Sequence, residues 1–279
     1  MLRVVVVGYD KMQTALISGL LSSSHEIVGV MRYEKNKISP FKLFFKDIFA
    51  PSKTLSYMRS YGLYDIKAKS VNSKEFINEI KKLKADVVLV GSWGEKIKKE
   101  LLSVPKFGFI NCHPSLLPQN RGANPYFWAI YQGKEKSGVT FHIMDENFDT
   151  GKILFQEEIE ITSLMNAEDL KLKACALAKK SIAPLLNNLE EGLLIPVLQD
   201  ESRASREFMN DDLIVVDFSR TAREIKNHIR ALQPYQTPYC RLDKWYYKIK
   251  ECRIYDGVKL YDKSRIIKCK DSELEVVLE

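Results

Sequence analysis

The chain has 279 residues, 45% of them hydrophobic, and 43 lysines and arginines against 36 acidic residues give it a net charge of +7. That length is enough for one large domain and a small one beside it, and the basic balance suits an acidic partner such as a nucleic acid, a phosphorylated substrate or a polyglutamate, or simply a soluble lysine-rich surface. Five scattered cysteines without a CxxC pair (Cys112, Cys175, Cys240, Cys252, Cys269) argue against a disulfide framework and for a reducing, cytoplasmic setting, and no run approaches the ~20 apolar residues of a membrane span.

Residues 2–7 form a continuous β-branched run that ends at Gly8, the pattern of a parallel strand buried on both faces. Residues 12–21 then take helical spacing, which makes a βα unit. The alternation recurs with a strand at 26–31, an amphipathic helix at 73–83 capped by Ser73, and a strand at 86–90 closed by Gly91. It predicts an α/β fold with a Rossmann-like open, mostly parallel sheet. Gly8-Tyr9-Asp10 lacks the full GxGxxG fingerprint, so the first turn is a weak dinucleotide site. The basic stretch at 32–53 reads either as a loop over phosphates or as a helix packed on the sheet with its lysines outside.

Further strands are expected at 107–111, 138–144 and 152–161, with helices at 125–131 and from 167 to about 191. Residues 192–210 have no periodicity and a linker's composition, so the chain divides into 1–191, a linker at 192–211, and a small α+β unit at 212–279. That last unit should hold a short strand at 213–218, a helix capped by Ser219 or Thr221 and running to Leu232, and strands at 238–242, 245–255, 265–268 and 273–278. The unit is β-rich and OB-like, but shorter than a full barrel.

The densest chemistry lies in Asn111-Cys112-His113-Pro114-Ser115-Leu116-Leu117-Pro118, followed by Arg121-Gly122-Ala123-Asn124-Pro125. In a strand Asn111 and His113 share one side, and Cys112 points to the other as a core residue. Met144-Asp145-Glu146-Asn147-Phe148-Asp149-Thr150-Gly151 places three carboxylates in a turn. An amide, an imidazole and a carboxylate can stabilise an oxyanion, carry a proton and orient the carrier, which is the equipment of acyl transfer to an amine. The same residues can also serve only to anchor loops and form a turn. His142 reads as a structural histidine more readily than as a pocket residue, and His25 and His228 read as surface residues.

Asn-x-His-x-Ser-Leu-Leu-Pro with Arg121-Gly122, then Gly138-Val139-Thr140 and the Asp-Thr-Gly ending at Gly151, closely resembles the folate-dependent formyltransferase family. Gln199-Asp200-Glu201-Ser202, Asp217-Phe218-Ser219 and Ile229-Arg230-Ala231 extend the resemblance to the linker and carboxyl domain of its methionyl-tRNA and sugar-nucleotide branches. The resemblance implies 10-formyltetrahydrofolate as co-substrate and no metal. It assigns the formyl oxygen to Asn111, proton transfer to His113 and orientation of histidine and amine to Asp149. The folate should lie against Ser92, Trp93 and Gly94 and against Met144, Asp145 and Phe148. The acceptor should meet Ser115, Arg121 and Asn124, and Lys35, Lys37 and Lys42 if it is RNA. Methionyl-tRNA is the preferred acceptor on charge and on the carboxyl-terminal segments. A nucleotide-linked amino sugar is the alternative, because Asn124-Pro125 followed by Tyr126-Phe127-Trp128 resembles that branch. A formyltetrahydrofolate hydrolase or a folate-binding module without turnover ranks below both.

Overall fold

A computed structural model of the protein describes residues 1–33, 46–49 and 51–279, so Lys35, Lys37, Lys42 and most of the basic stretch lie outside the described residues. The first unit is built on a six-stranded sheet in the order β2 (Glu26–Arg32), β1 (Arg3–Gly8), β3 (Val87–Gly91), β4 (Phe109–His113), β5 (Lys136–Ile143), β6 (Ile153–Glu160). The first four strands are parallel, and β5 and β6 join antiparallel. The run of valines in β1 has the expected reason. Val4 and Val6 enter the core on one face, with Leu16, Ala174 and Ile182, while Val5 and Val7 enter the other, with Phe76, Ile80 and Phe109. Alternation of side chains along a strand puts a valine into each core in turn.

Helices α1 (Asp10–Leu20) and α6 (Ala167–Glu190) cover the first face, and α3 (Lys74–Lys82) covers the second. α2 (Lys53–Ser60) packs beside α1, and the short α4 (Lys99–Leu102) and α5 (Pro125–Tyr131) follow β3 and β4. Local chemistry sets the starts of these helices. Ser73 Oγ accepts from Phe76 N, and Asn166 with Asp169 closes a reciprocal capping box on α6. Among the described residues no helix is long and apolar enough to cross a membrane.

The second unit is a four-stranded antiparallel sheet in the order β7 (Tyr239–Leu242), β8 (Trp245–Ile254), β10 (Glu273–Leu278), β9 (Ser264–Lys268). Helix α7 (Ala222–Leu232), capped by Thr221 and Glu224, packs Ile225 and Ile229 onto its core and meets α5 of the first unit. The strand expected at 213–218 is absent. Asn210 accepts from Leu213 N and winds Asp211–Ile214 into a 3-10 turn, after which only an isolated bridge joins Val215 to Tyr239. His25 and His228 also depart from expectation, because both are buried. His25 Nδ1 accepts from Leu2 N at 3.1 Å, and His228 Nε2 donates to Leu213 O at 2.7 Å with its ring edge-on to Tyr131.

Candidate active site

Val90 of β3 stands opposite Asn111, and β3 ends at Gly91, so β4 carries His113 past it and presents Asn111 and His113 on one side. Cys112 turns the other way, into the core, with its sulfur 3.5 Å from Met12 Sδ. Burial holds the Cys112 thiol well above its ordinary range, which suits a core residue and not a nucleophile. β5 runs antiparallel beside β4, and its register sets His142 directly opposite Asn111. The turn after β5 then brings Asp149 back over both strands.

Asp149 is the hub of the cluster. Its Oδ1 accepts from Asn111 Nδ2 at 3.0 Å and lies 3.5 Å from His113 Nδ1 and 3.4 Å from His142 Nε2. Its Oδ2 accepts from Gly122 N at 2.8 Å. Burial alone would raise the Asp149 carboxyl, but the imidazoles of His113 and His142, protonated in the acid range where a carboxyl titrates, and the Gly122 N–H outweigh it and hold the group far below the usual carboxylate range. His113 moves the other way from an exposed histidine, its pKa lowered chiefly by burial although Asp149 opposes the shift. Neutral His113 donates from Nε2 to Asn120 O at 2.9 Å, which leaves the Nδ1 lone pair on the side of Asp149 Oδ1, 3.5 Å away. His142 donates from Nδ1 to Ile143 O at 3.0 Å and accepts at Nε2 from the second N–H of Asn111 at 3.2 Å.

Backbone strain maintains this turn. Asp149 itself adopts φ 60°, a left-handed conformation that an aspartate tolerates better than a branched residue. Two residues on, Gly151 is pressed against β5 so tightly that a Cβ would lie 1.6 Å from Ile143 O. Gly122, at φ +89°, turns its N–H toward the carboxylate in a conformation other residues rarely adopt. Gln199 of the linker ties the turn down by donating to Asp149 O at 2.9 Å and Gly151 O at 2.7 Å. Arg121 in turn grips Gln199 Oε1 at 2.8 Å and the Glu201 carboxylate at 2.6 and 2.9 Å.

The structure thus brings Asn111, His113 and Asp149 together and adds His142 and Gln199 to them. For His142 the signal in the sequence is its period-two alternation with Thr140, which allows a place facing the site as well as a structural one. Gln199 sat in a segment read as surface linker. Of the residues expected at the acceptor, Ser115 is buried and donates to Gln119 O at 2.6 Å, and Arg121 is spent on the linker. Asn124 is exposed at φ 57°, and its amide makes no cap bond to α5.

The residues expected at the folate line the other flank. Trp93, after Ser92 at φ 63° and beside Gly94, packs edge-on to Tyr33 with centroids 4.6 Å apart. Its buried Nε1–H has no partner among the described residues, as a ligand-binding donor would. Met144 N donates to Phe109 O, and the Asp145 carboxylate is held by Thr150 Oγ1 and Asn147 N, so Asp145 shapes the turn. Phe148 lies between Lys96 and Arg206, 5.7 and 5.5 Å from its ring centroid, in a cavity of about 290 Å³ that Arg121 and Thr150 also line.

The formyl transferase family profile matches residues 3–184, and the formyl transferase C-terminal domain profile matches residues 210–278. Methionyl-tRNA formyltransferase of Clostridioides difficile (strain 630) is 32% identical over 269 residues, covering 95% of this chain and 85% of that one. Its counterpart from Ehrlichia ruminantium (strain Welgevonden) is 36% identical over 84% of this chain and 75% of its own. Among solved structures, the N-formyltransferase from Helicobacter canadensis in complex with folinic acid and dTDP-3-aminofucose has a TM-score of 0.75 at 19% identity, with 100% of both chains covered. HypX from Aquifex aeolicus in complex with tetrahydrofolic acid gives 0.66 at 15% identity over 99% of this chain and 43% of that one. With both family profiles matched along its length, the chain belongs to the formyl transferase family and is a folate-dependent formyltransferase.

Proposed function

We propose that the protein transfers the formyl group of 10-formyltetrahydrofolate to the primary amine of a nucleotide-linked amino sugar in the cytoplasm. The co-substrate supplies the reacting carbonyl, and Trp93, Gly94, Met144 and Phe148 would hold it. Asn111 meets the charge that develops on the formyl oxygen with its second N–H, the one on the long 3.2 Å contact to His142 Nε2. His113 Nδ1 takes the proton of the attacking amine, and Asp149 stabilises the resulting imidazolium from 3.5 Å. The same proton can then pass to the leaving folate nitrogen. The division into a catalytic unit at 1–191, a linker at 192–211 and a small unit at 212–279 belongs to this reading.

The observation that carries the choice of acceptor is a cavity of about 610 Å³, lined by α1, α6 and the end of β2. It reaches Tyr9 and Asp10, just past the end of β1, and at the usual strand spacing β4 is about 10 Å from β1. Pockets of a few hundred Å³ suit small molecules, and the Asn124 amide, which makes no cap bond to α5, stands on the loop that carries Gly122. The deciding assay follows consumption of 10-formyltetrahydrofolate with 3-amino and 4-amino deoxysugar nucleotides and with methionyl-tRNA. Turnover with a sugar nucleotide alone is expected, and turnover with methionyl-tRNA alone would refute the choice.

A second reading, methionyl-tRNA, has its own support in the identity to methionyl-tRNA formyltransferases and in a basic cleft of about 700 Å³. Lys134, Lys136, Arg223, Lys226 and Arg230 line that cleft between β5 and α7. Lys136 is six residues along β5 from His142, or about 20 Å. On this reading affinity falls steeply with salt.

A further inference from the structure

We propose that Lys96 and Arg206, on either side of Phe148, seat the glutamyl carboxylates of the folate co-substrate and make the enzyme prefer a polyglutamylated donor. The inference rests on the reading that Trp93, Gly94, Met144 and Phe148 hold the folate, and it does not depend on which amine is formylated. A polyglutamate is among the acidic partners that the basic balance of the sequence suits, and the cavity of about 290 Å³ beside the catalytic turn gathers charge for one. Lys96 Nζ lies 5.7 Å and the Arg206 guanidinium 5.5 Å from the centre of the Phe148 ring, and the same guanidinium lies 5.2 Å from that of Phe208. A ring face holds a cation in place without neutralising it. Both cations are exposed, and neither side chain has a hydrogen-bond or carboxylate partner among the described residues.

The acidic side chains nearby are committed elsewhere. Glu95 accepts from Ser70 Oγ at 2.7 Å, Asp145 is held by Thr150 Oγ1 and Asn147 N, Glu146 pairs with Lys99, and Glu207 accepts from Gln132 Nε2 at 2.8 Å. Arg121, the third cation on the cavity wall, is paired with Glu201. Position then decides which anion the two remaining charges suit. Lys96 and Asn147 follow the folate-holding segments 92–94 and 144–145, and Thr150 follows Asp149. On the other wall a Cβ on Gly122 would lie 3.3 Å from Arg206 Nε, and Gly122 N donates to Asp149 Oδ2 at 2.8 Å, so the guanidinium stands one loop residue from the Asp149 carboxylate. A folate with its formyl-bearing nitrogen at Asn111 and His113 carries next a benzoyl ring and then its carboxylates. The cavity offers the matching order, an aromatic ring flanked by cations, and each further γ-linked glutamate adds a carboxylate at that end. A phosphate on the acceptor has the same sign of charge, and the test separates the two.

The test is calorimetric titration of the full-length protein with folinic acid in its monoglutamate and triglutamate forms, without acceptor. An exposed ion pair is worth up to about fivefold in affinity, so the triglutamate should bind about five- to tenfold tighter. The preference should shrink as salt is raised. Lys96→Glu combined with Arg206→Glu reverses both charges at exposed positions, leaves the core alone, and should abolish the preference. Equal affinity for the two forms in the wild-type protein, or a preference that survives in the double variant, overturns the seat. So does a double variant whose KM for the acceptor rises while the folate preference is kept, since the cations would then serve the acceptor's phosphate. The pocket reading fails separately. If Trp93→Leu leaves the affinity for the monoglutamate unchanged, that reading falls, and a preference lost in the double variant still upholds the seat.

Discussion

Asp149→Asn isolates the charge at the centre of the cluster while preserving its shape. The carboxylate faces donors on both oxygens, with Asn111 Nδ2 at 3.0 Å from one and Gly122 N at 2.8 Å from the other. An amide in its place must turn its own NH₂ toward one of these donors, whichever way it lies. One charge-assisted bond is therefore lost in either orientation, at about 1.5–3 kcal/mol. The imidazolium formed at His113 Nδ1 also loses its counter-charge, so the barrier should rise by at least about 3 kcal/mol, roughly two orders of magnitude in kcat/KM. The assay is initial-rate tetrahydrofolate release at saturating donor. A companion measurement separates charge from shape. Because the folded pKa of Asp149 is depressed, its ionisation stabilises the wild type above the unfolded value near 4 and that contribution is lost as pH falls through the folded value. The variant should lack this acid-side slope in its unfolding curves. Turnover within tenfold of wild type would refute the placing of Asp149 at the hub of proton transfer.

His113→Ala should lower turnover about a hundredfold or more and leave folate affinity, measured by fluorescence quenching of Trp93, close to wild type. Because burial lowers the His113 pKa, the acid limb of the wild-type rate profile should lie below pH 6.5, and rates should fall as the ring takes up a proton. Gly151→Ala should destabilise the fold by several kcal/mol, seen as a fall in Tm, because the added methyl would overlap Ile143 O; an unchanged Tm would show that the turn can yield.

The parallel strands were readable in the sequence because burial on both faces leaves little choice but valine, isoleucine and leucine, as in β1 and β3. Asn111 and His113 were readable for a similar reason, since period two fixes their common side. What escaped depended on contacts between distant residues. His25 and His228 look like surface residues until their partners, the Leu2 N–H and the Leu213 carbonyl, are seen. Arg230, cited for RNA, spends its guanidinium on the carbonyls of Thr162 and Met165. The strand expected at 213–218 had the right composition, but the cap from Asn210 acts first.

The strap from the linker sets a limit on how the enzyme can be divided. Arg121 N donates to Ser205 O, Ser205 N donates to Pro118 O, and Asn120 N donates to Ser205 Oγ, so residues on both sides of His113's partner Asn120 are pinned from more than eighty positions away. A fragment trimmed at 191 would keep every strand of the large sheet and still lose the clamp on Asp149 and Gly151. An excised piece that keeps these bonds must extend to Ser205, and linker exchange between relatives would exchange the contacts that hold Asp149 and Gly151 in place.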